Sequence, residues 1–199
     1  MTEKIDFREI QEAVRKKYTA VSRSARGRFQ YPAGREGVVA LEYDLSLVDD
    51  LPDEVLESFC GVGNPFSLGP INPGEALLDV GCGAGFDLIM ASRLVGPRGR
   101  VCGIDLTPEM VHRARRNLRR AGVPNGRVLC AGSEAIPFAG STFDVVISNG
   151  VLNLSPMKEK SFQEIYRVLR PNGRLQFADI GLKEDLPPEV ANSLEAWSE

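Results

Sequence analysis

The feature that most constrains this chain of 199 residues is a regular alternation of apolar runs and amphipathic segments between residues 75 and 180. The short apolar runs predict five strands, at 76–81, 100–106, 127–132, 142–149 and 173–180. The segments between them predict helices at 86–96, 107–122 and 155–170. Alternation with such short connections favours a mostly parallel sheet with helices on both faces. We therefore predict an α/β fold with a Rossmann-like, doubly wound sheet.

The residues before this alternation have a different character. Residues 6–20 place apolar side chains at helical spacing between charges, which predicts a helix. Residues 21–37 are basic and rich in Gly, Ser and Arg, as is typical of a loop or lid, and residues 52–60 predict a second, short helix. This pattern predicts three parts: an N-terminal helical and lid segment at 1–60, a core at 61–182 and a shortened C-terminal helix at 183–199.

The composition argues against several classes of protein. The net charge of −3 and the pI of about 5.4 provide no basic excess for nucleic acid. No apolar run approaches the ~20 residues of a membrane span, and the charged N-terminus does not resemble a signal peptide. We expect a cytoplasmic protein that binds neither nucleic acid nor membrane. The four cysteines form no CxxC pair, so we expect no metal site.

A glycine loop follows the first predicted strand, in the stretch DVGCGAGFD at residues 79–87. Gly81, Gly83 and Gly85 permit a tight turn in front of a helix N-terminus. Asp105 ends the second strand, 20 residues after Gly85, where an acid can accept hydrogen bonds from ribose hydroxyls. A nicotinamide fingerprint would need glycine where Phe86 stands, which argues against a nicotinamide-dependent enzyme.

Polar residues also follow the third and fourth strands, at the same edge of the predicted sheet. Ligands of open α/β sheets bind beyond the carboxyl ends of the strands. The predicted cofactor-binding residues are therefore Asp79, Gly81, Cys82, Gly83, Gly85, Asp105, Leu106, Ser133, Glu134 and Asn149.

These motifs, in this order, resemble the class I S-adenosylmethionine-dependent methyltransferases. DVGCGAG is similar to the family's first motif, GIDLTPEM to its second, AGSEAIPF to its adenine-side loop, and FDVVISNGVL and VLRPNGRLQFADI to its fourth and fifth strands. The resemblance implies S-adenosyl-L-methionine as cofactor, with the glycine loop at its amino-acid end and Asp105 on its ribose. Ser133 or Glu134 would lie near the adenine. The chain departs from the family at Gly132, where many members carry an acid.

Further phrases resemble the arsenite methyltransferase family: VRKKY, LPDEV, GVGNP, LTPEMVHRAR, VISNGVLNLSP and LPPEVANSLEAW. That resemblance implies cysteine thiolates that hold trivalent arsenic, a soft ligand set that suits the metalloid. Val62 and Gly150 stand at two of the cysteine positions, and residues 21–50 contain no cysteine. Cys60 could approach the site, but one thiol does not make a three-thiolate cage. The fold is therefore expected to carry over, and the arsenic chemistry is not.

The predicted function is methyl transfer to an unidentified small-molecule acceptor. The alternatives are an arsenite methyltransferase proper and a non-catalytic protein that binds S-adenosylmethionine. No general base is evident, because the sole histidine, His112, lies in a strongly basic helix that we expect to face solvent. Catalytic residues are therefore left unassigned. The substrate-side candidates are Tyr18, Tyr31, Val62, Asn64 and Gly150.

The family's sheet usually continues for two strands beyond the fifth, and here one helix of sequence remains after residue 180. Strand 173–180 would then be an open edge, which proteins normally cover. We expect either a shortened chain or a covering partner, with self-association through strand 173–180 as one form of this.

Overall fold

The computed structural model describes residues 6–181 together with Ser193, Leu194 and Trp197. Within them, five strands form one sheet in the order β3-β2-β1-β4-β5, and every neighbouring pair is parallel. The strands are β1 Ala76–Val80, β2 Arg100–Asp105, β3 Gly126–Cys130, β4 Phe143–Asn149 and β5 Leu169–Ala178. The helices are α1 Phe7–Val21, α2 Gly34–Ala40, α3 Asp53–Leu56, α4 Phe86–Val95, α5 Pro108–Arg120 and α6 Lys158–Val168. The predicted doubly wound α/β fold is confirmed.

Alternating side chains of the central strands divide the core into two layers. Leu77 and Ile147 belong to the apolar cluster that includes α4 and α5, whereas Leu78 and Val80 belong to the cluster that includes α6. The period of two follows from the strand pleat, which directs successive side chains to opposite faces. Helices on both faces bury the sheet, as an all-parallel sheet requires.

The amino-terminal segment closes the α4 face. Val38, Tyr43, Val55 and Phe59 join the same apolar cluster as α4, and the rings of Phe59 and Phe86 lie 5.0 Å apart. Helix α4 is therefore buried on its outer side as well as on its sheet side, which explains why nearly all its residues are inaccessible to solvent.

Helix α1 packs across the start of α5. The hydroxyl of Thr19 donates to Glu109 at 3.1 Å, and the guanidinium of Arg113 donates to the carbonyl of Ser22 at 2.8 Å. A capping box formed by Asp6 and Glu9 begins α1. These contacts place α1 over the carboxyl edge of the sheet.

Three predicted boundaries differ in the structure. The segment 21–37, predicted as a loop or lid, contains the start of α2. Helix α6 begins at Lys158 with Met157 as its N-cap, and the hydroxyl of Ser155, the predicted cap, bonds Glu134, Ser161 and the N–H of Met157. It ends at Val168, and β5 begins four residues before the predicted 173. The predicted helix 183–199 lies almost entirely outside the described residues.

Strand β5 is the last strand of the sheet among residues 6–181 and pairs there with β4 alone. Phe177 and Ile180 on and after it are 39% and 49% exposed, and Phe162 of α6 contacts Phe177. No helix of the described residues is both long and apolar enough to cross a bilayer.

Phe143→Ala tests the packing of the α6 layer. Phe143 is fully buried and its ring lies 5.1 Å from that of Phe138. We expect the substitution to lower the free energy of unfolding by about 3–5 kcal/mol, because it deletes a large buried ring. Tyr166→Ala is the control, since Tyr166 is 82% exposed. Urea denaturation measures both variants, and an equal loss in the two would contradict this packing.

Candidate functional site

A cleft lies at the carboxyl edge of the sheet and encloses about 740 Å³, part of it open to solvent. The ends of β1, β2, β3 and β4 form its floor, and α1 forms one wall. The lining residues are Gln11, Val14, Tyr18, Cys60, Val80, Gly81, Gly83, Asp105, Leu106, Thr107, Ala131, Gly132, Ser133, Glu134, Asn149, Gly150, Val151, Leu154, Ser155 and Pro156.

The glycine loop after β1 has two different reasons for its glycines. Gly81 has a φ of +75°, and a Cβ there would lie 2.3 Å from a methyl group of Val151, so the backbone needs glycine for close approach. Gly83 has a φ of +50°, and a Cβ there would meet no heavy atom within 4 Å. Gly83 therefore presents bare backbone to the cleft.

The carboxylate of Asp105 joins this loop to the start of α5. One oxygen accepts from the backbone N–H of Gly83 at 2.9 Å, and the other accepts from that of Thr107 at 2.8 Å. Burial raises the pKa of Asp105 to about 6, although both backbone hydrogen bonds oppose the shift. The acid predicted from the sequence thus lies beside the bare glycine.

Three carboxyl groups are buried close together behind the loop. Burial, with the charges of Asp87 and Asp105, raises the pKa of Asp79 well above its usual range. Burial also raises the pKa of Asp87 to about 6. Asp79 is 2% exposed, and its Oδ2 has no hydrogen-bond partner among the described residues. A buried carboxyl oxygen without a partner is costly, and the neutral form of the acid lowers that cost.

The side chain of Asn149 holds the segment 61–63 against β4. Its Oδ1 accepts from the backbone N–H groups of Val62 at 2.8 Å and Gly63 at 3.1 Å. Its Nδ2 donates toward the carbonyl of Gly63, the Tyr43 hydroxyl and the Asp87 carboxylate. All the hydrogen-bonding groups of Asn149 are used within the protein, and the residue also lines the cleft.

The loop after β3 supplies the polar wall opposite α1. Glu134 accepts from the hydroxyl of Ser155 at 2.7 Å through Oε1. Its other oxygen lies in front of Gly132, where a Cβ would come within 2.7 Å of it. The carboxylate of Glu134 therefore lies beside the position where the resembled family often has an acid.

Neutral groups surround the remaining side of the cleft. Burial raises the pKa of Tyr18 well above its usual range and that of the Cys60 thiol to about 12. Both groups are protonated at neutral pH. Gly150 has a φ of +71°, and a Cβ there would lie 3.1 Å from a methyl group of Val62 and 3.8 Å from the Cβ of Val62. The two positions at which the resembled family has cysteines are therefore neighbours in space.

The structure brings nine of the predicted site residues into the cleft: Tyr18, Gly81, Gly83, Asp105, Leu106, Ser133, Glu134, Asn149 and Gly150. The others lie outside its lining. Gly85 faces Leu118, and Cys82 packs behind the loop against Gly103. Asn64 caps a turn by accepting from the N–H of Phe66. Asp79 is buried behind the loop, Val62 contacts Gly150, and Tyr31 donates to the carbonyl of Cys60.

Sequence reasoning missed the α1 side chains Gln11 and Val14 and the residues Val151, Leu154 and Ser155 after β4. The helical spacing of Val14 indicated a buried face, but no local signal showed what that face would cover. Thr107 was expected only as a helix cap, and the approach of Cys60 to the site was foreseen.

Comparisons with known proteins agree with this geometry. A family model described as a methyltransferase domain matches residues 71–199. An arsenite methyltransferase of Halobacterium salinarum is 35% identical over 93% of this chain and 51% of that protein. A ubiquinone/menaquinone biosynthesis C-methyltransferase of Klebsiella pneumoniae is 42% identical over 53% of this chain and 42% of that protein. The crystal structure of an arsenic(III) S-adenosylmethionine methyltransferase from Chlamydomonas reinhardtii gives a TM-score of 0.66 at 36% identity, covering 73% of this chain and 51% of that one.

This chain belongs to the methyltransferase-domain family, in its class I S-adenosylmethionine-dependent branch. It is similar to arsenite methyltransferases and spans about half the length of the curated relatives it matches. S-adenosylmethionine is the cofactor that this family implies. The cleft fits it, because Gly83 leaves open backbone next to the Asp105 carboxylate.

Asp79→Asn tests the electrostatics of the loop. Because the native pKa of Asp79 lies above its unfolded value, the native state binds more protons than the unfolded state between these values. The contribution of this group to stability therefore falls as pH rises through that interval. The variant lacks the group, so the difference in free energy of unfolding between the variant and the wild type should shift in favour of the variant as pH rises above about 4.

Urea denaturation without added ligand measures this difference at each pH. Asp53→Asn is the control, since the side chain of Asp53 is 83% exposed. The arrangement is contradicted if the free energy of unfolding of Asp79→Asn, relative to that of the wild type, stays constant with pH or falls as pH rises.

Proposed function

We propose that this chain binds S-adenosylmethionine in the cleft and is a methyltransferase for a small-molecule acceptor. The observation that carries the proposal is the bare backbone of Gly83 beside Asp105, at the carboxyl ends of two adjacent parallel strands. Ligands of open α/β sheets bind at this place. The methyltransferase-domain match and the relatives named above support the same activity.

Five of the predicted binding residues contact the cofactor in this proposal. The backbone at Gly81 and Gly83 faces the amino-acid end of the cofactor, and Asp105 accepts hydrogen bonds from its ribose hydroxyls. Ser133 and Glu134 lie toward the adenine. Asp79 lies buried behind the loop, and its side chain does not line the cleft.

When bound, the cofactor would supply an electrophilic methyl group, which an acceptor lone pair would attack with S-adenosylhomocysteine as the leaving group. The residues of this chain contribute alignment and exclusion of water, both of which accelerate such a displacement. Val151, Leu154 and Pro156 give the cleft an apolar wall, and Tyr18 and Cys60 stay protonated. No general base is assigned among the described lining residues, which favours an acceptor that reacts without losing a proton to the protein.

The acceptor is left open between two classes. The relatives include arsenite methyltransferases and a quinone-pathway C-methyltransferase. Across residues 6–181, no three His, Cys, Asp or Glu side chains form a group that could hold a metal ion, and Val62 and Gly150 replace two expected thiols. We therefore favour an acceptor other than arsenite. A screen of acceptors, arsenite included, for formation of S-adenosylhomocysteine separates a methyltransferase from a protein that binds the cofactor without turnover.

Gly83→Val tests the cofactor site. The side chain would enter the open space of the cleft, so we expect the affinity for S-adenosylhomocysteine to fall by tenfold or more, on the order of 1.4 kcal/mol. Gly74→Val is a matched control, because Gly74 also has positive φ and open space around its Cβ but lies before β1, away from the lining residues. Backbone strain is therefore common to both variants.

Isothermal titration calorimetry measures both variants and the wild type, with NADH as a second ligand. An equal loss of affinity in the two variants would contradict the assignment of the loop. Binding of NADH in place of S-adenosylhomocysteine would overturn the proposed cofactor.

The double variant Val62→Cys with Gly150→Cys tests the thiol positions. With 3.8 Å between the two Cβ positions, the new thiols should bind one trivalent arsenical together, despite the cost of a side chain at φ +71°. Titration of accessible thiols with phenylarsine oxide should show two protected thiols in the double variant. Each single variant is the control, and protection equal to that of a single variant would show that the positions are not neighbours.

A further inference from the structure

A chain of three serine hydroxyls links the cleft to α6. Ser133 and Ser161 are 2.8 Å apart at Oγ, Ser161 and Ser155 are 2.9 Å apart, and Ser155 donates to Glu134 at 2.7 Å. Ser161 is fully buried, whereas Ser133, Glu134 and Ser155 line the cleft. Buried hydroxyls in such a chain have few alternative partners, which makes their arrangement specific.

The hydrogen bond at the Glu134 end of this chain determines which hydroxyl donates at each step. The hydroxyl of Ser155 donates to Glu134, which uses its single proton. The proton of Ser161 then goes to Ser155 at 2.9 Å or to the more distant carbonyl of Met157 at 3.4 Å, and it is used in either case. By the same argument, Ser133 must donate to Ser161. The backbone N–H of Met157 also donates to the Ser155 oxygen, at 3.2 Å, which favours the same direction.

This direction determines what the wall after β3 offers a ligand. The hydroxyl of Ser133 donates its proton to Ser161 and presents only lone pairs to a ligand. Glu134 presents Oε2, which has no hydrogen-bond partner among the residues that the structure describes. Both cleft-lining groups are therefore acceptors, and neither can donate to a ligand without breaking the chain.

We infer that the hydroxyl chain through Ser161 makes this wall select a ligand with an N–H donor, such as the amino group of adenine, over a ligand with a carbonyl there. The inference rests on the proposed function, which places the adenine of the cofactor at this wall. Ser161 is a positioning residue in this account, because it acts through Ser133, Ser155 and Glu134 and does not line the cleft. A carbonyl oxygen facing two acceptors would be left unpaired, which binding sites discriminate against strongly.

Calorimetry with S-adenosylhomocysteine and its inosine analogue, S-inosylhomocysteine, tests the inference. The two compounds differ at the purine: adenine has an amino group at C6 and an acceptor at N1, whereas hypoxanthine has a carbonyl at C6 and an N–H donor at N1. The wild type should bind the adenine compound at least about tenfold more tightly. Ser161→Ala frees the proton of Ser133, so the ratio of the two affinities should fall by roughly three- to tenfold.

Two further variants separate positioning from simple destabilisation. Ser92→Ala removes another buried serine hydroxyl, which lies in α4 away from the cleft and bonds Asn125 at 2.7 Å. This variant should leave the ratio of the two affinities unchanged. In a Ser133→Ala background, Ser161→Ala should no longer change the ratio, because the freed proton is absent.

The outcomes distinguish the inference from the proposed function. If the wild type binds neither compound, the proposed function fails, and the inference fails with it. If the wild type binds S-adenosylhomocysteine but Ser161→Ala leaves the ratio unchanged, the inference alone is overturned. A ratio that falls equally in Ser92→Ala, or that falls as far in the Ser133→Ala background, would also overturn it.

Discussion

The side chain of Asn149 is the contact on which the architecture of the cleft depends. It ends β4, accepts from two backbone N–H groups of the segment 61–63, and directs its amide toward Tyr43, Gly63 and Asp87. Two amide protons face three acceptors, so the group is fully used within the protein. It thereby ties the amino-terminal segment to the sheet edge and to the first turn of α4. Without that segment, the cleft would lose the wall that includes Cys60.

The position of Asn149 at the end of β4 illustrates how a parallel sheet brings distant segments together into one site. Strand ends that are distant in sequence converge at one edge, so Asp105, Ser133 and Asn149 lie around a single cleft. The buried carboxyl groups of Asp79 and Asp87 lie behind the floor of that cleft, and burial raises the pKa of both. Burying these acids beside an open glycine loop lowers stability at the place where a ligand can bind.

Sequence patterns predicted the strands well because alternation and short connections leave few other arrangements. They also predicted Asp105 and the glycine loop, whose spacing reflects local geometry. They did not distinguish Gly85, which packs on α5, from Gly83, which faces the cleft, because both have positive φ and the same sequence neighbourhood. Asn64 and Ser155 looked like a site residue and a helix cap, respectively. Asn64 donates to the carbonyl of Leu41 and Ser155 donates to Glu134, and no local pattern contains these tertiary partners.

The acceptor side is the part of the site that the fold alone determines least. Neutral groups, Tyr18 and Cys60, and the side-chain-free Gly150 surround it, and the described chain spans about half the length of the curated relatives. The central claim concerns the side of the cleft that binds the methyl donor, and a crystal structure with S-adenosylhomocysteine tests it most directly. The account predicts that the ligand lies along Gly81 and Gly83 with its ribose hydroxyls on Asp105. A ligand bound elsewhere, with Asp105 bonded only to Gly83 and Thr107, would contradict it.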